Sequence, residues 1–235
     1  ASVTRFARAV GCQNVRDLKL RLARALAAGR RFIQDAGDTD GLGAVYDIAT
    51  QTLGVNRELM EQADVAGAID LLDGARQILV FGAGGGSTML AQELQFRLVR
   101  LGYAISAYPQ SLLPRMVAST LEADDVVVTL SVSGYTPEIV ESAQIARQYG
   151  ARVVAITANG SPLSENADVV LPVAARETDF IYHPSASRYA VLAAIDVLAL
   201  ELALRHQDRS RDMMRRLKIT PAAHRGGDTR RPLGD

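Results

Sequence analysis

A single cysteine, Cys12, stands among 235 residues, so no disulfide can form within the chain. One thiol beside three scattered histidines does not make a metal site either. Long apolar runs are also missing: none reaches the ~18–20 residues that span a bilayer, and the N-terminus lacks the apolar segment of a signal peptide. The chain therefore reads as a soluble, cytoplasmic protein with no metal and no cofactor. Net charge is absent too, with 26 basic and 26 acidic side chains. What is present is 48% hydrophobic content, which is enough for one sizeable core with appendages.

The zero balance conceals an uneven distribution. Residues 1–31 carry eight basic side chains against one acid, Asp17. The segment from Arg205 onward carries nine against four, which leaves the middle with 9 basic and 21 acidic residues. A basic head on an acidic body fits a polyanion-binding arm; the alternative is a solvated helix face, because Lys and Arg are good helix formers. Within the head, Val3, Phe6, Ala7 and Val10 fall at helical spacing, as do Val15, Leu18, Leu22, Ala25 and Leu26 beyond Gly11. Two helices with so little apolar surface are not a complete domain. They pack on the body or on another chain, or they form the back half of a larger module.

Gln34–Gly43 is rich in Gly, Asp and Thr and reads as a linker or loop. Ala44–Ala75 then places Val45, Ile48, Ala49, Leu53, Leu59, Val65, Ile69 and Leu72 at helical spacing, which predicts two or three helices. From Arg76 onward strands alternate with helices. Ile78–Phe81, Ala104–Tyr108, the run Val126, Val127, Val128 and Thr129, Arg152–Thr157 and Val169–Pro172 read as strands. Met89–Leu101, Leu112–Leu121, the segment opened by Pro137 and Arg188–Leu204 read as helices. Continuous apolar strands between amphipathic helices predict a parallel sheet covered on both faces. Ligands of such sheets sit at the carboxyl ends of the strands, where strand order reverses. The Arg188–Leu204 helix is apolar around most of its circumference, so it should be buried on several sides, and a subunit interface is one way to do that. Arg209–Leu217 can extend as a helix, and Pro221 with the Gly, Asp and Arg mixture after it predicts an extended or mobile tail.

Two loops at strand ends carry the chemistry. The third strand feeds Ser131, Ser133, Gly134 and Thr136, and Pro137 then opens a helix. A helix start presents unpaired N–H groups and the positive end of the macrodipole, and hydroxyls beside it add donors for an anion such as phosphate. The competing reading is structural: Thr136 as an N-cap, Pro137 as a first-turn proline and the serines as loop. The first strand ends in Gly82-Ala83-Gly84-Gly85-Gly86-Ser87-Thr88. No Lys precedes the hydroxyl residue, so this is not a Walker A loop. The third glycine of GxGxxG would fall on Ser87, and Tyr108 and Pro109 stand where an acid would hold a ribose, so it is not a dinucleotide fingerprint. Its glycines also have a structural reading, as residues that permit tight strand-to-helix packing. Two anion-suited loops on neighbouring strands would hold both ends of one small ligand. Ser161–Asp168 has the structural reading of a turn fixed by Pro162, with Leu163 as a core anchor.

The sequence S-V-T-R-F-A-R-A-V-G followed by D-L-K-L-R-L-A resembles the end of the helix-turn-helix domain of RpiR/MurR-type transcriptional regulators. The resemblance implies that Ser2, Thr4, Arg5 and Arg8 face DNA, since a recognition helix puts its N-terminal side chains into the major groove. Further on, GxG with a following Ser, then L-V-R-L-G, D-D-V-V-V-T-L-S-V-S-G-Y-T-P-E-I-V, G-A-R-V-V-A-I-T, S-P-L-S-E-N-A-D-V-V-L-P and S-R-Y-A-V-L-A-A-I-D-V-L-A resemble a sugar isomerase (SIS) domain over roughly Ile78–Leu204. That likeness implies a three-layer α/β/α sandwich with a five-stranded parallel sheet that binds a phosphorylated sugar, preceded by a partial all-α helix-turn-helix segment. Ser131, Ser133 and Thr136 match the family's phosphate-binding hydroxyls; Gly84 and Ser87 match its first loop, with one departure, the insertion of Gly86 before Ser87. Gly134 belongs to the same phosphate loop, and Glu177 falls where SIS isomerases carry an acid.

The resemblance implies four segments: 1–33 as the back of the DNA-binding domain, 34–75 as linker and connecting helices, 76–205 as the SIS domain, and 206–235 as a basic helix and tail. The function it implies is a DNA-binding regulator of carbohydrate metabolism that senses a phosphosugar and binds double-stranded operator DNA as a homodimer or homotetramer. Catalytic residues are not expected. The rival is a phosphosugar isomerase with a helical extension, in which Glu177 would be the base and His183 an acid or sugar ligand. A sugar-phosphate-binding accessory subunit without DNA binding is the third reading.

Overall fold

The structure is a computed structural model that describes residues 41–109, 112–175 and 185–225, together with residues 3, 4, 6, 15, 18 and 19. The chain divides into two compact units, residues 1–47 with 177–185, and residues 48–176 with 186–235. In the smaller unit the described residues of the head are helical, with Thr4 exposed and Leu18 buried. Ser2, Arg5, Arg8, Glu177 and His183 lie outside the described residues.

The larger unit holds the sheet. Its elements are α1 (Gly41–Glu61, entering from the smaller unit), α2 (Val65–Gly74), β1 (Gln77–Gly82), α3 (Gly85–Val99), β2 (Ile105–Tyr108), α4 (Leu113–Ala118) and β3 (Asp125–Ser131). They continue with α5 (Pro137–Gln148), β4 (Arg152–Thr157), α6 (Pro162–Glu165), β5 (Val169–Pro172), α7 (Ser187–Arg205) and α8 (Gln207–Arg225). All strand pairs are parallel, in the order β2-β1-β3-β4-β5. The order reverses between β1 and β3, which lie side by side with Gly82 opposite Leu130.

Side-chain alternation splits the core into two faces, as a strand's period of two requires. Ile78, Val80, Val126, Val128, Leu130, Val154 and Ile156 point to one face and meet Ile69 and Leu72 of α2, Leu90, Leu94 and Leu98 of α3, and Ile195, Leu198 and Leu202 of α7. Leu79, Phe81, Val127, Val153 and Ala155 point to the other and meet Ala118 of α4, Ile139, Ala143 and Ala146 of α5, and Leu163 of α6. This is the expected three-layer sandwich, and the absence of any solvent-facing side explains why β3 reads as an unbroken apolar run rather than an alternating one.

Two local expectations change. The helix after β1 begins at Gly85, four residues before Met89, because the loop glycines form its first turn. The C-terminal helix does not stop at Pro221 but runs to Arg225. The break falls instead at His206, with φ −127 and ψ 60 between α7 and α8.

Candidate functional site

The loops after β1 and β3 open at the carboxyl ends of the two adjacent strands where the sheet order reverses, the usual crevice for a ligand of an open parallel sheet. Each is shaped by a glycine with positive φ. Gly84 has φ +86 and is the N-cap of α3. Gly134 has φ +72, and a Cβ on it would lie 2.0 Å from Ser161 Oγ and 2.6 Å from Thr157 Oγ1. Gly82 is constrained by packing: a Cβ there would lie 2.5 Å from the Ser87 carbonyl oxygen.

In the β3 loop the hydroxyls face one another. Ser131 Oγ lies 2.9 Å from Thr136 Oγ1 and accepts the Gly134 N–H at 3.2 Å. The Ser131 carbonyl accepts both the Gly134 N–H at 3.0 Å and the Thr157 hydroxyl at 2.6 Å. Ser133 is exposed, and its Oγ accepts the Tyr135 N–H at 3.3 Å, which leaves its own proton to donate outward. Thr136 holds the N-cap position of α5 without making the cap bond; its hydroxyl is turned to Ser131. The capping bond that the structural reading expects of Thr136 is not made, while Pro137 does occupy the first helical turn. The loop presents one exposed hydroxyl, Ser133, and one half-buried hydroxyl, Thr136, braced from beneath by a buried one, Ser131.

In the β1 loop, Thr88 N–H makes the first helical bond, to the Gly84 carbonyl at 3.0 Å. The N–H groups of Gly85, Gly86 and Ser87 precede that bond, have no intrahelical acceptor, and receive no side-chain cap. The inserted Gly86 is thus absorbed as the second residue of α3, and Ser87 follows as the third, half-buried. A Cβ on Gly85 or Gly86 would meet nothing within 4 Å, so the backbone there stands open. Together the loops offer helix-start N–H groups, a positive dipole end and hydroxyls, which is a chemistry for anions.

The structure brings Gly84, Ser87, Ser131, Ser133, Gly134 and Thr136 onto neighbouring loops; Glu177 falls outside the described residues. The Ser161–Asp168 segment has the structural role read for it: Ser161 Oγ accepts the Ser164 N–H at 3.3 Å and caps α6, and Leu163 is fully buried. Sequence reasoning passed over Thr157, whose hydroxyl locks the β3 turn from β4; its place as the last residue of the neighbouring parallel strand was the available signal.

Two other features lie away from this crevice. A groove of about 1020 Å³ runs among α1, α2 and α7, lined by Leu53, Met60, Val65, Ile69, Val197 and Leu204. Its rim arginines, Arg57 and Arg205, are paired with Glu61 and Asp70 at 2.8 and 2.5 Å, so its chemistry is apolar rather than phosphate-binding. At the amino ends of β1 and β2, Tyr103 donates to Asp73 at 2.9 Å, and His206 Nε2 lies 2.8 Å from the same carboxylate. Burial alone would raise the Asp73 carboxyl, but the hydrogen bonds from His206 and Tyr103 and the charges of His206 and Arg205 hold it below its ordinary value. Tyr103 is pushed up to about 12, chiefly by burial and then by its bond to Asp73. These groups tie α8 to the body at the end of the sheet opposite the loops.

The SIS domain family model matches residues 71–201. The chain is 36% identical over 222 residues to the HTH-type transcriptional regulator HexR of Pseudomonas aeruginosa, covering 92% of this chain and 78% of the relative. To HexR of Escherichia coli it is 33% identical, covering 92% of this chain and 76% of the relative. The chain belongs to the HexR-type SIS-domain regulators. Its fold is that of the Vibrio vulnificus NanR protein complexed with ManNAc-6P, at a TM-score of 0.77 and 24% identity over 96% of this chain and 81% of that one. The sugar isomerase domain of an RpiR transcription factor from Sphaerobacter thermophilus superposes with a TM-score of 0.68 at 22% identity, covering 77% of this chain and 99% of that one. All five strands lie within the matched residues 71–201, with the crevice loops following the adjacent strands β1 and β3. Among the described residues of this regulator no helix is long and apolar enough to cross a membrane.

Proposed function

We propose that this chain is a transcriptional regulator of carbohydrate metabolism that senses a phosphorylated sugar and controls operator binding by its basic N-terminal head. The phosphate sits between the two crevice loops, held by the open N–H groups following Gly84, by Ser87, and by Ser133 and Thr136, with Ser131 and Gly134 shaping the turn. Glu177 contacts the sugar. Ser2, Thr4, Arg5 and Arg8 contact DNA, residues 1–33 being the back of the helix-turn-helix domain, 34–75 the connection, 76–205 the SIS domain and 206–235 a basic helix and tail. The protein works in the cytoplasm as a homodimer or homotetramer and catalyses no reaction.

The observation that carries this reading is the direction of the Thr136 hydroxyl. A threonine at an N-cap normally spends its oxygen on the helix; here it joins Ser131 instead, and the start of α5 is left without a side-chain cap. An uncapped helix start flanked by Ser133, with a second uncapped start, that of α3, following the adjacent strand, is an arrangement suited to an anion.

Thermal melting against a panel of glucose 6-phosphate, fructose 6-phosphate, ribose 5-phosphate and N-acetylmannosamine 6-phosphate tests it. A ligand at about a hundredfold its Kd stabilises by about 2.7 kcal/mol, which at about 2–4 °C per kcal/mol for a domain of this size raises Tm by about 5–10 °C. A panel that leaves Tm unmoved defeats the sensor reading. Turnover of these sugars that disappears on Glu177→Ala would replace it with the isomerase.

A further inference from the structure

We infer that Asn56 is the positioning residue that ties α1 to the phosphate crevice, so that ligand binding is felt along α1; this rests on the phosphosugar binding proposed above. Asn56 is 5% exposed. Its side-chain amide pairs with the backbone of Ala174 at both ends: Oδ1 accepts the Ala174 N–H at 2.8 Å, and Nδ2 donates to the Ala174 carbonyl at 3.1 Å. This is the pairing a neighbouring strand would supply, provided here by a helix side chain. Nδ2 also donates to the Thr52 carbonyl at 2.8 Å, which binds the amide to α1's own backbone. Parting the Asn56 amide from Ala174 would leave buried donors and acceptors unpaired, so α1 is held to Ala174.

Ala174 is in turn connected to the crevice by buried bonds. The Thr157 hydroxyl donates to the Ser131 carbonyl at 2.6 Å, and the Thr157 carbonyl accepts the N–H of Val173, next to Ala174, at 2.9 Å. Thr157 and Val173 are 0% and 2% exposed. From the phosphate turn to α1 there is thus an unbroken path: Ser131, Thr157, Val173, Ala174, Asn56. A path of contacts carries coupling only if its end can take two arrangements. α1 is not packed on every side: the apolar groove lies along it, and Leu53, which lines that groove, is 42% exposed. Beyond Asn56 the same helix runs back without interruption to Gly41, toward the basic head in sequence.

Hydrogen exchange on the full chain, with and without each of the four sugar phosphates named above, tests this. A sugar phosphate that raises Tm is expected to slow exchange in residues 131–140 and to change exchange of the 52–58 amides on the order of fivefold or more. In Asn56→Ala, which loses both bonds to Ala174, the change at 131–140 should remain and that at 52–58 vanish. Asn56→Asp, which keeps the acceptor and loses both donations, should fall between. Equal responses of α1 in wild type and variants, or a wild type whose crevice responds while α1 does not, overturns the role of Asn56 and leaves the sensor standing. A wild type that responds to no member of the panel overturns both. The wild-type arm stands even if a variant does not fold.

Discussion

The three hydroxyls of the β3 turn are equivalent in the sequence motif and unequal in the structure. Ser131 is 4% exposed and braces Gly134 and Thr136, whereas Ser133 is exposed and braces only Tyr135. Ser133→Ala should therefore leave stability within about 0.5 kcal/mol, as exposed substitutions do, while removing most of the Tm rise given by a sugar phosphate. Ser131→Ala should reduce that rise and also destabilise the unliganded protein by about 1 kcal/mol, the net worth of a buried hydrogen bond. Melting of both variants with and without ligand checks the distinction, and equal intrinsic stabilities would refute it. Gly134 is the stricter position. Gly134→Ala meets about 1–2 kcal/mol of left-handed backbone cost and, with its Cβ driven into Ser161 and Thr157, about 1–3 kcal/mol of overpacking. Urea unfolding measures the sum, and a loss under about 1 kcal/mol would mean that the turn relaxes freely.

At the level of elements, α8 is fastened by a few polar contacts rather than by a core. Arg209 donates to the Gly102 carbonyl at 2.7 Å and lies 4.9 Å over the Tyr103 ring, and Tyr103 and His206 share the Asp73 carboxylate. The folded state favours the neutral phenol, since the Tyr103 pKa is raised from 10.0 to about 12. Its contribution is therefore fully present below pH 10.0 and is lost as pH climbs from there toward about 12. Asp73 is shifted the other way, so its contribution is present at neutral pH and lost as pH falls below the ordinary carboxylate value of 3.8. Stability measured by urea unfolding should drop between pH 10 and 12, and Tyr103→Phe, which has nothing to ionise, should flatten that drop. A variant with the same alkaline slope as wild type assigns the loss elsewhere. None of this fastening was legible in the sequence, because Asp73, Tyr103 and the His206–Arg209 segment are far apart in the chain and individually unremarked. The sheet was legible because its inner strands are buried on both faces and so appear as local apolar runs; the bounds read for Arg152–Thr157 and Val169–Pro172 match those observed. The helices of Ala44–Ala75 were legible too, but which side of α1 is buried was not, for the converse reason. Periodicity selects apolar side chains and so pointed to Leu53, which is 42% exposed, while the buried positions one turn apart are Thr52 and Asn56. Asn56 is paired with the backbone of Ala174, 118 residues away, and local pattern contains no trace of that.

On the scale of the whole molecule, the chain joins a basic head to a sheet whose candidate crevice is lined mostly by backbone N–H groups and hydroxyls. A site of that kind recognises a phosphate well and leaves the choice of sugar to residues around it. A sensor also differs from an enzyme in what its binding energy must do, because a ligand shifts DNA binding only by its differential affinity for two states of the protein. Linkage makes this reciprocal: if the sugar phosphate changes operator affinity by some factor, operator DNA must change sugar affinity by the same factor, on the order of 5–150 in typical cases. The full-length regulator should show that equality when sugar affinity is measured with and without a fragment of its own promoter. DNA affinity should fall steeply with salt, with a log–log slope of about −0.9 for each phosphate neutralised. The sugar's affinity for the protein alone should be far less sensitive, because one phosphate held by N–H dipoles and hydroxyls releases few counterions. Equal factors in the two directions tie both sites to one two-state protein. A sugar that binds tightly yet leaves operator affinity unchanged would mean that the crevice and the head act independently, whatever each binds.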